Sequence, residues 1–179
     1  ERLETGELTR EQVMLGRFHE FFESEGLPTD QVKVFNDEYQ IRLGDKAFFC
    51  DHGDELVKQL KATVKQYAVT NGTTVAQERK LRFSGLDQLL DGVFISEQVG
   101  VDKPQKDFFD AVWNEIGSYA PDEVVIVGDS LTSDIRGGKN AGILTCWYNP
   151  DHLPNKIEVT PDCTIDNLQD ILSYLDESR

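Results

Sequence analysis

The stretch that most constrains this chain begins at Val124. Four apolar residues, Val124-Val125-Ile126-Val127, run without polar alternation into Gly128, and two acids follow at short spacing, Asp129 and Asp134. Such a run predicts a strand buried on both faces, as in a parallel sheet sandwiched between helices. Open α/β sheets bind ligands in the crevice beyond the carboxyl ends of their strands, so both carboxylates are expected to point into it. Neighbouring carboxylates repel unless a proton or a cation intervenes. A hard, oxygen-seeking ion such as Mg2+ is the economical partner, with Asp129 and Asp134 as candidate metal ligands.

Upstream, Thr9 and Gln12 make a capping box, and Met14, Phe18, Phe21 and Phe22 recur at helical spacing behind it. Gly26 and Pro28 end that helix. Val32, Phe35, Tyr39 and Leu43 mark a second, so a helical hairpin is expected over 6–43. Arg17 and His19 read as solvated side chains. Gly44 to Gly53 is a transition, Asp54 to Ala62 an amphipathic helix, and Val64 to Val69 a strand ending at Thr70-Asn71-Gly72. A hydroxyl at a strand tip, followed by a turn residue and a glycine, suits a phosphate oxygen, although Thr-Asn-Gly is also an ordinary turn.

A helix is expected over 73–83, a strand within Leu89 to Ser96, and a helix starting at Pro104 with Phe108, Phe109, Val112, Trp113 and Ile116 inward. Lys103, just ahead of that start, is electrostatically misplaced unless an anion is shared. Lys106 reads as a surface lysine. A helix over Ile135 to Ala141, a strand over Ile143 to Tyr148, a polar loop to Pro161 and a helix over Ile165 to Leu175 complete the pattern.

Three motifs in sequence order carry a resemblance. Gly128-Asp129-Ser130-Leu131-Thr132-Ser133-Asp134 resembles the fourth motif of the haloacid dehalogenase-like (HAD) hydrolases, Val69-Thr70-Asn71-Gly72 the second, and Val101-Asp102-Lys103-Pro104 the third. The resemblance covers roughly residues 46 to 175 and implies an α/β fold, a Rossmann-like three-layer parallel sheet with a partial helical cap. The cap is expected over 1–45 and the HAD-like core over 46–179.

The resemblance further implies a magnesium-dependent phosphate monoester hydrolase working through a phospho-aspartyl intermediate. Thr70, Asn71, Gly72 and Lys103 would bind the phosphoryl group, Lys103 and Asp129 would serve catalysis, and Asp129 and Asp134 would hold Mg2+. Glu7 to Phe22 and Lys139 to Asn149 resemble the pyrimidine 5′-nucleotidase branch, so a nucleoside 5′-monophosphate ranks first among small phosphorylated metabolites.

The family's first motif, two aspartates separated by one residue at the end of the central strand, is absent, since no Asp-x-Asp occurs in the sequence. The chain opens at Glu1 inside a cap-like pattern, and the expectation is that the segment bearing that strand lies outside these residues. The strands ending at Thr70 and Asp129 would then be left unpaired on facing edges, and the 179 residues alone are expected to be inactive. The alternatives are a non-catalytic binding module of the same fold and a metal-independent 2-haloacid dehalogenase. A receiver-like phosphoacceptor fits less well, because the acids follow a late strand.

A formal net charge of -15 speaks against nucleic acid or anionic membrane as partners. Cys50, Cys146 and Cys163 have no paired spacing, so neither a disulfide framework nor a zinc site is indicated. Cys50 and Cys146 are expected as core fillers. With no apolar run long enough to span a membrane, a cytoplasmic location is the expectation.

Overall fold

The computed structural model describes residues 8–117 and 119–177. Helix α1 (Arg10–Ser24) starts at the expected capping box, with Thr9 and Gln12 bonded both ways, and α2 (Val32–Gly44) folds back against it. The aromatic stripes meet between them. Phe18 packs edge-on against Phe35 and Tyr39, and Phe22 against Phe35, at centroid separations of 5.0–5.2 Å. Arg17 lies over the Phe18 and Tyr39 rings.

Burial on this hairpin departs from the pattern in the sequence. Phe21 is 50% exposed, and Phe35, Tyr39 and Leu43 also remain at the surface. The buried stripe of α2 is Val32, Asn36, Gln40 and Gly44, a spacing of four that turns a largely polar face inward. That face packs on α4 (Thr74–Ser84), where Gln40 accepts a hydrogen bond from Thr73 Oγ1 at 2.9 Å. At Gly44 the two helices approach so closely that a Cβ would meet Arg79 Cβ at 2.5 Å.

Helix α3 (Gly53–Leu60) buries Leu56, as its pattern predicts. His52 before it adopts a left-handed backbone, as does Asp51. The Asp51 carboxylate anchors this turn, accepting from Tyr148 Oη at 2.8 Å and from Leu168 N at 3.2 Å. That hydrogen bond, with burial second, pushes the Tyr148 phenol up to about 12. Cys50 is exposed, so it is not the core filler expected.

Two parallel sheets follow. Strands β1 (Tyr67–Thr70) and β2 (Gly92–Ile95) pair in one, and β3 (Val125–Gly128), β4 (Leu144–Tyr148) and β5 (Cys163–Ile165) in the other. Between them in the chain lie α5 (Ser96–Val99), α6 (Lys106–Ile116) and α7 (Arg136–Ala141), and α8 (Ile171–Glu177) ends the described chain. Among the described residues β1 bonds only to β2 and β3 only to β4, so each keeps one unpaired edge.

One core nonetheless runs beneath both sheets. Phe108, Phe109 and Val112 of α6 pack with Ile126 of β3, and with Val69 of β1 and Phe94 of β2. On the other side of the larger sheet Leu56, Cys146, Ile165 and Ile171 form a second cluster with α8. The expectation that β3 is buried on both faces fails at Val127, which is 39% exposed. Ile126 packs into the first cluster and Val125, on the opposite face, into the second, so both faces are covered earlier in the strand.

Several boundaries shift. The first strand begins at Tyr67 rather than Val64, because Leu60 to Val64 closes the preceding helix as turns. Helix α6 begins at Lys106, not Pro104; a turn from Asp102 to Gln105, with a cis Lys103-Pro104 bond at its centre, comes first. Ile165 ends β5 (Cys163–Ile165) instead of opening the last helix, which starts at Ile171. Asp162, just before the strand, explains why. The carboxylate accepts from both the N–H and the hydroxyl of Thr145 at 2.8 Å, and Lys139 donates to its other oxygen. Burial pushes this carboxyl up, but Lys139 and Thr145 outweigh it and hold it below the usual carboxylate range. Among the described residues no helix is long and apolar enough to cross a membrane.

Candidate functional site

Lys103 joins the two sheets. Its side chain is 7% exposed, and Nζ donates to the Val69 carbonyl of β1 at 2.7 Å and to Asp134 Oδ1 at 2.6 Å. The first contact covers a backbone acceptor near the tip of β1, the kind of group that is costly to bury unpaired. The second is a buried ion pair, since the Asp134 side chain is 10% exposed. An ammonium has three N–H donors, so one remains for a ligand oxygen.

The backbone of Lys103 is held as firmly as its side chain. Asn71 donates from Nδ2 to the Lys103 carbonyl and accepts the Lys103 N–H on Oδ1, both at 2.9 Å. The loop after β1 thus clamps the loop before α6. Thr70 closes β1, and among the described residues no hydrogen bond holds its hydroxyl. The Gly72 N–H donates to Ser96 Oγ at 3.1 Å. It is therefore committed within the protein, and the open anion-binding amide expected at Gly72 is not found in this arrangement.

Arg10, at the start of α1, reaches the same corner. Its guanidinium donates to the Gly72 carbonyl, to Ser96 Oγ at 2.6 Å, and pairs with the buried Asp102 carboxylate. One side chain from the hairpin therefore ties together the loops after β1, after β2 and before α6. Nothing in the sequence marked Arg10, Ser96 or Asp102 for this role. Only the placement of Asp102 beside Lys103 hinted at a polar junction.

Asp134 lies in a wide helical turn, Leu131–Ile135, that leads into α7. Its Oδ2 accepts the Ser130 N–H at 3.1 Å, so both carboxylate oxygens are engaged. The carboxylate packs across Gly128, where an added Cβ would overlap the Asp134 side chain. A Gly128→Ala variant is thus expected to push Asp134 out of the Lys103 pair. It should lower stability by about 1–3 kcal/mol, read as a lower urea midpoint; an unchanged midpoint would mean that the turn absorbs a methyl freely.

Asp129 is exposed at the end of β3, and its carbonyl accepts the Trp147 indole N–H at 3.0 Å. Among the described residues no hydrogen bond or ion pair holds its carboxylate, and no group of three or more His, Cys, Asp or Glu is disposed to cage a metal. A single open carboxylate at a strand end could still take part in holding Mg2+. This ion keeps several waters and takes only one or two carboxylates together with substrate phosphate.

The predicted residues are thus brought together in part. Lys103 touches both Asn71 and Asp134 directly, with Thr70 beside Val69 and Asp129 beside Ser130 in the chain. A concavity of about 380 Å³ lined by Pro121, Lys139, Ile143 and Asp162 opens at the opposite, amino ends of β3 and β4. It gathers Asp122 and the Lys139–Asp162 pair, and none of the predicted site residues.

Comparison with known proteins identifies the family. The model of the haloacid dehalogenase-like hydrolase family matches residues 4–142. The HAD-hydrolase YfnB of Bacillus subtilis is 35% identical over 172 residues, which span 96% of this chain and 73% of YfnB. The pyrimidine 5′-nucleotidase PynA of Streptococcus pneumoniae is 34% identical, covering 98% of this chain and 74% of PynA. The pyrimidine 5′-nucleotidase YjjG of Escherichia coli is 31% identical, covering 96% of this chain and 75% of YjjG. A crystal structure of YfnB bound to magnesium superposes with a TM-score of 0.91 at 34% identity, over 98% of this chain and 76% of that one. The agreement of whole-chain sequence and backbone with these proteins means that this chain belongs to the haloacid dehalogenase-like hydrolase family.

Proposed function

We propose that this chain supplies the phosphate- and magnesium-binding half of a phosphomonoesterase acting on a small phosphorylated metabolite, with a nucleoside 5′-monophosphate as the first candidate. The observation that carries the proposal is the buried Lys103 ammonium. It is held by Val69 O and Asp134 with one donor left over; in the chain Val69 adjoins Thr70, and Ser130, whose N–H the Asp134 carboxylate accepts, adjoins Asp129. The nucleotide follows from the two pyrimidine 5′-nucleotidases above 30% identity.

On this reading Lys103 and the Thr70 hydroxyl bind phosphoryl oxygens. Asn71 fixes the Lys103 backbone, and Arg10 pairs with the carboxylate of the adjacent Asp102. Asp129 would ligate Mg2+, with Asp134 orienting Lys103 and lying close enough in sequence to assist. The ion, when bound, supplies charge neutralisation at the transferring phosphoryl group. Such catalysis is mostly positioning and electrostatics. The phospho-aspartyl route also needs a carboxylate nucleophile, for which this sequence offers no Asp-x-Asp pair.

The absence of that pair favours a second reading, a phosphate-binding module without turnover. A screen of nucleoside 5′-monophosphates with and without Mg2+ separates the two. It would compare the 179-residue chain with a polypeptide in which a strand bearing Asp-x-Asp precedes it. The expected result is magnesium-dependent release of phosphate only in the longer protein, with a preference for pyrimidine nucleotides. No release from either, while phosphate still binds, selects the module; no phosphate binding by either overturns the site.

A further inference from the structure

Cys146 and Cys163 are 17 positions apart in sequence and direct partners in the β4–β5 ladder. Partnered residues of adjacent parallel strands project to the same face. Strands lie about 4.7–4.9 Å apart, inside the roughly 4.4–6.8 Å Cα separation that a disulfide accepts. The two thiols already face each other, Sγ to Sγ at 2.7 Å, and both are free. Their register is pinned by the preceding pair. Thr145 and Asp162 share four hydrogen bonds, from Thr145 N and Oγ1 to the Asp162 carboxylate and from Asp162 N to the Thr145 carbonyl and Oγ1. Bridging the sulfurs therefore requires no strand to move.

We propose that Cys146 and Cys163 form a redox modification site, a cross-strand dithiol that closes to a disulfide when a peroxide reaches Cys163 and reopens with a dithiol reductant.

The two sulfurs are unequal, which sets the order of events. Cys146 is fully buried, and burial together with the hydrogen bond to Cys163 pushes its thiol up. Cys163 is half-buried on the outermost strand of the sheet and is the one a peroxide can meet. Its thiolate attacks a peroxide oxygen, the O–O bond breaks, and a sulfenic acid forms while hydroxide leaves with the thiol proton as water. The Cys146 sulfur then attacks Cys163 Sγ. The S–O bond breaks, and the departing hydroxyl takes the Cys146 proton as a second water. Two thiols are oxidised, and one peroxide is reduced to two waters.

The product closes the loop from β4 to β5, the segment carrying Pro150, Pro154 and Pro161. Shortening the unfolded chain's freedom in this way should raise the melting temperature by about 5–10 °C. This inference is independent of the proposed phosphatase activity.

The test treats the folded protein with a modest excess of hydrogen peroxide, blocks remaining thiols with an alkylating agent under denaturing conditions, and maps the peptides. Expected are the loss of two hydrogens, a Cys146–Cys163 link, alkylation confined to the exposed Cys50, full reversal by dithiothreitol, and the higher melting temperature. Cys146→Ser should leave a sulfenic acid at Cys163 that a carbon nucleophile such as dimedone traps. Recovery of Cys146 and Cys163 as alkylated thiols beside an oxidised Cys50 would overturn the proposal. So would a two-hydrogen loss that persists in Cys163→Ser, or an oxidised protein that melts no higher than the reduced one.

Discussion

Lys103→Met is expected to weaken phosphate binding severely and to unfold the protein about 10 °C earlier. The stability loss follows from what the lysine leaves behind. Asp134 would remain a buried carboxylate without its counter-ion, and breaking such a pair costs about 3–5 kcal/mol; the Val69 carbonyl would lose its donor as well. Binding should fall by roughly 100-fold or more, the loss typical when a preorganised group aimed at developing charge is removed. A second substitution separates the two effects. In Lys103→Met/Asp134→Asn the buried charge is gone while the amide oxygen can still accept the Ser130 N–H, so most of the melting temperature should return and phosphate binding should not. Calorimetric titration with inorganic phosphate and thermal melts of the three proteins decide it. Full phosphate affinity in the single variant would remove Lys103 from the site, and an unchanged melting temperature would mean that water screens the pair.

What the sequence made legible was whatever depends on local pattern. The apolar run at Val125 to Val127, the capping box at Thr9 and the Phe108, Phe109, Val112 stripe each fix an element through neighbours a few residues away, and each is found. Lys103 and Asp134 were legible as chemistry, because a cation ahead of a helix and an acid after a buried strand both require a partner. That they are each other's partner was not, since 31 residues separate them. The same holds for Arg10, whose three acceptors lie 62 to 92 positions away. The α2 helix misled for a different reason: its apolar side packs only against α1, while the buried contact with α4 uses Asn36, Gln40 and Gly44, where closeness matters more than hydropathy. Cys146 and Cys163 looked unrelated because a parallel ladder pairs residues through a crossover, so their spacing carries no signal.

Amide exchange in β1 and β3 is expected to split into two populations within each strand. Amides bonded to β2 or β4 should be protected, whereas those on the opposite edges of β1 and β3 should exchange at least about 100-fold faster, because no ladder closes over them. The exposure of Val127 points the same way, for an apolar side chain in the middle of a strand is ordinarily covered in a sheet with helices on both faces. The cluster under α6 limits how far this can go. Ile126, Val69 and Phe94 share one core, so the two sheets are held in a common frame even though, among the described residues, no strand ladder crosses between them. Adding a strand that pairs with both edges should then slow the fast amides selectively and leave the β2 and β4 faces unchanged. Uniform protection of β1 and β3 in the 179-residue chain would contradict the two-sheet arrangement, and with it the place at the strand tips where an added carboxylate could meet the oxygen bound by Lys103.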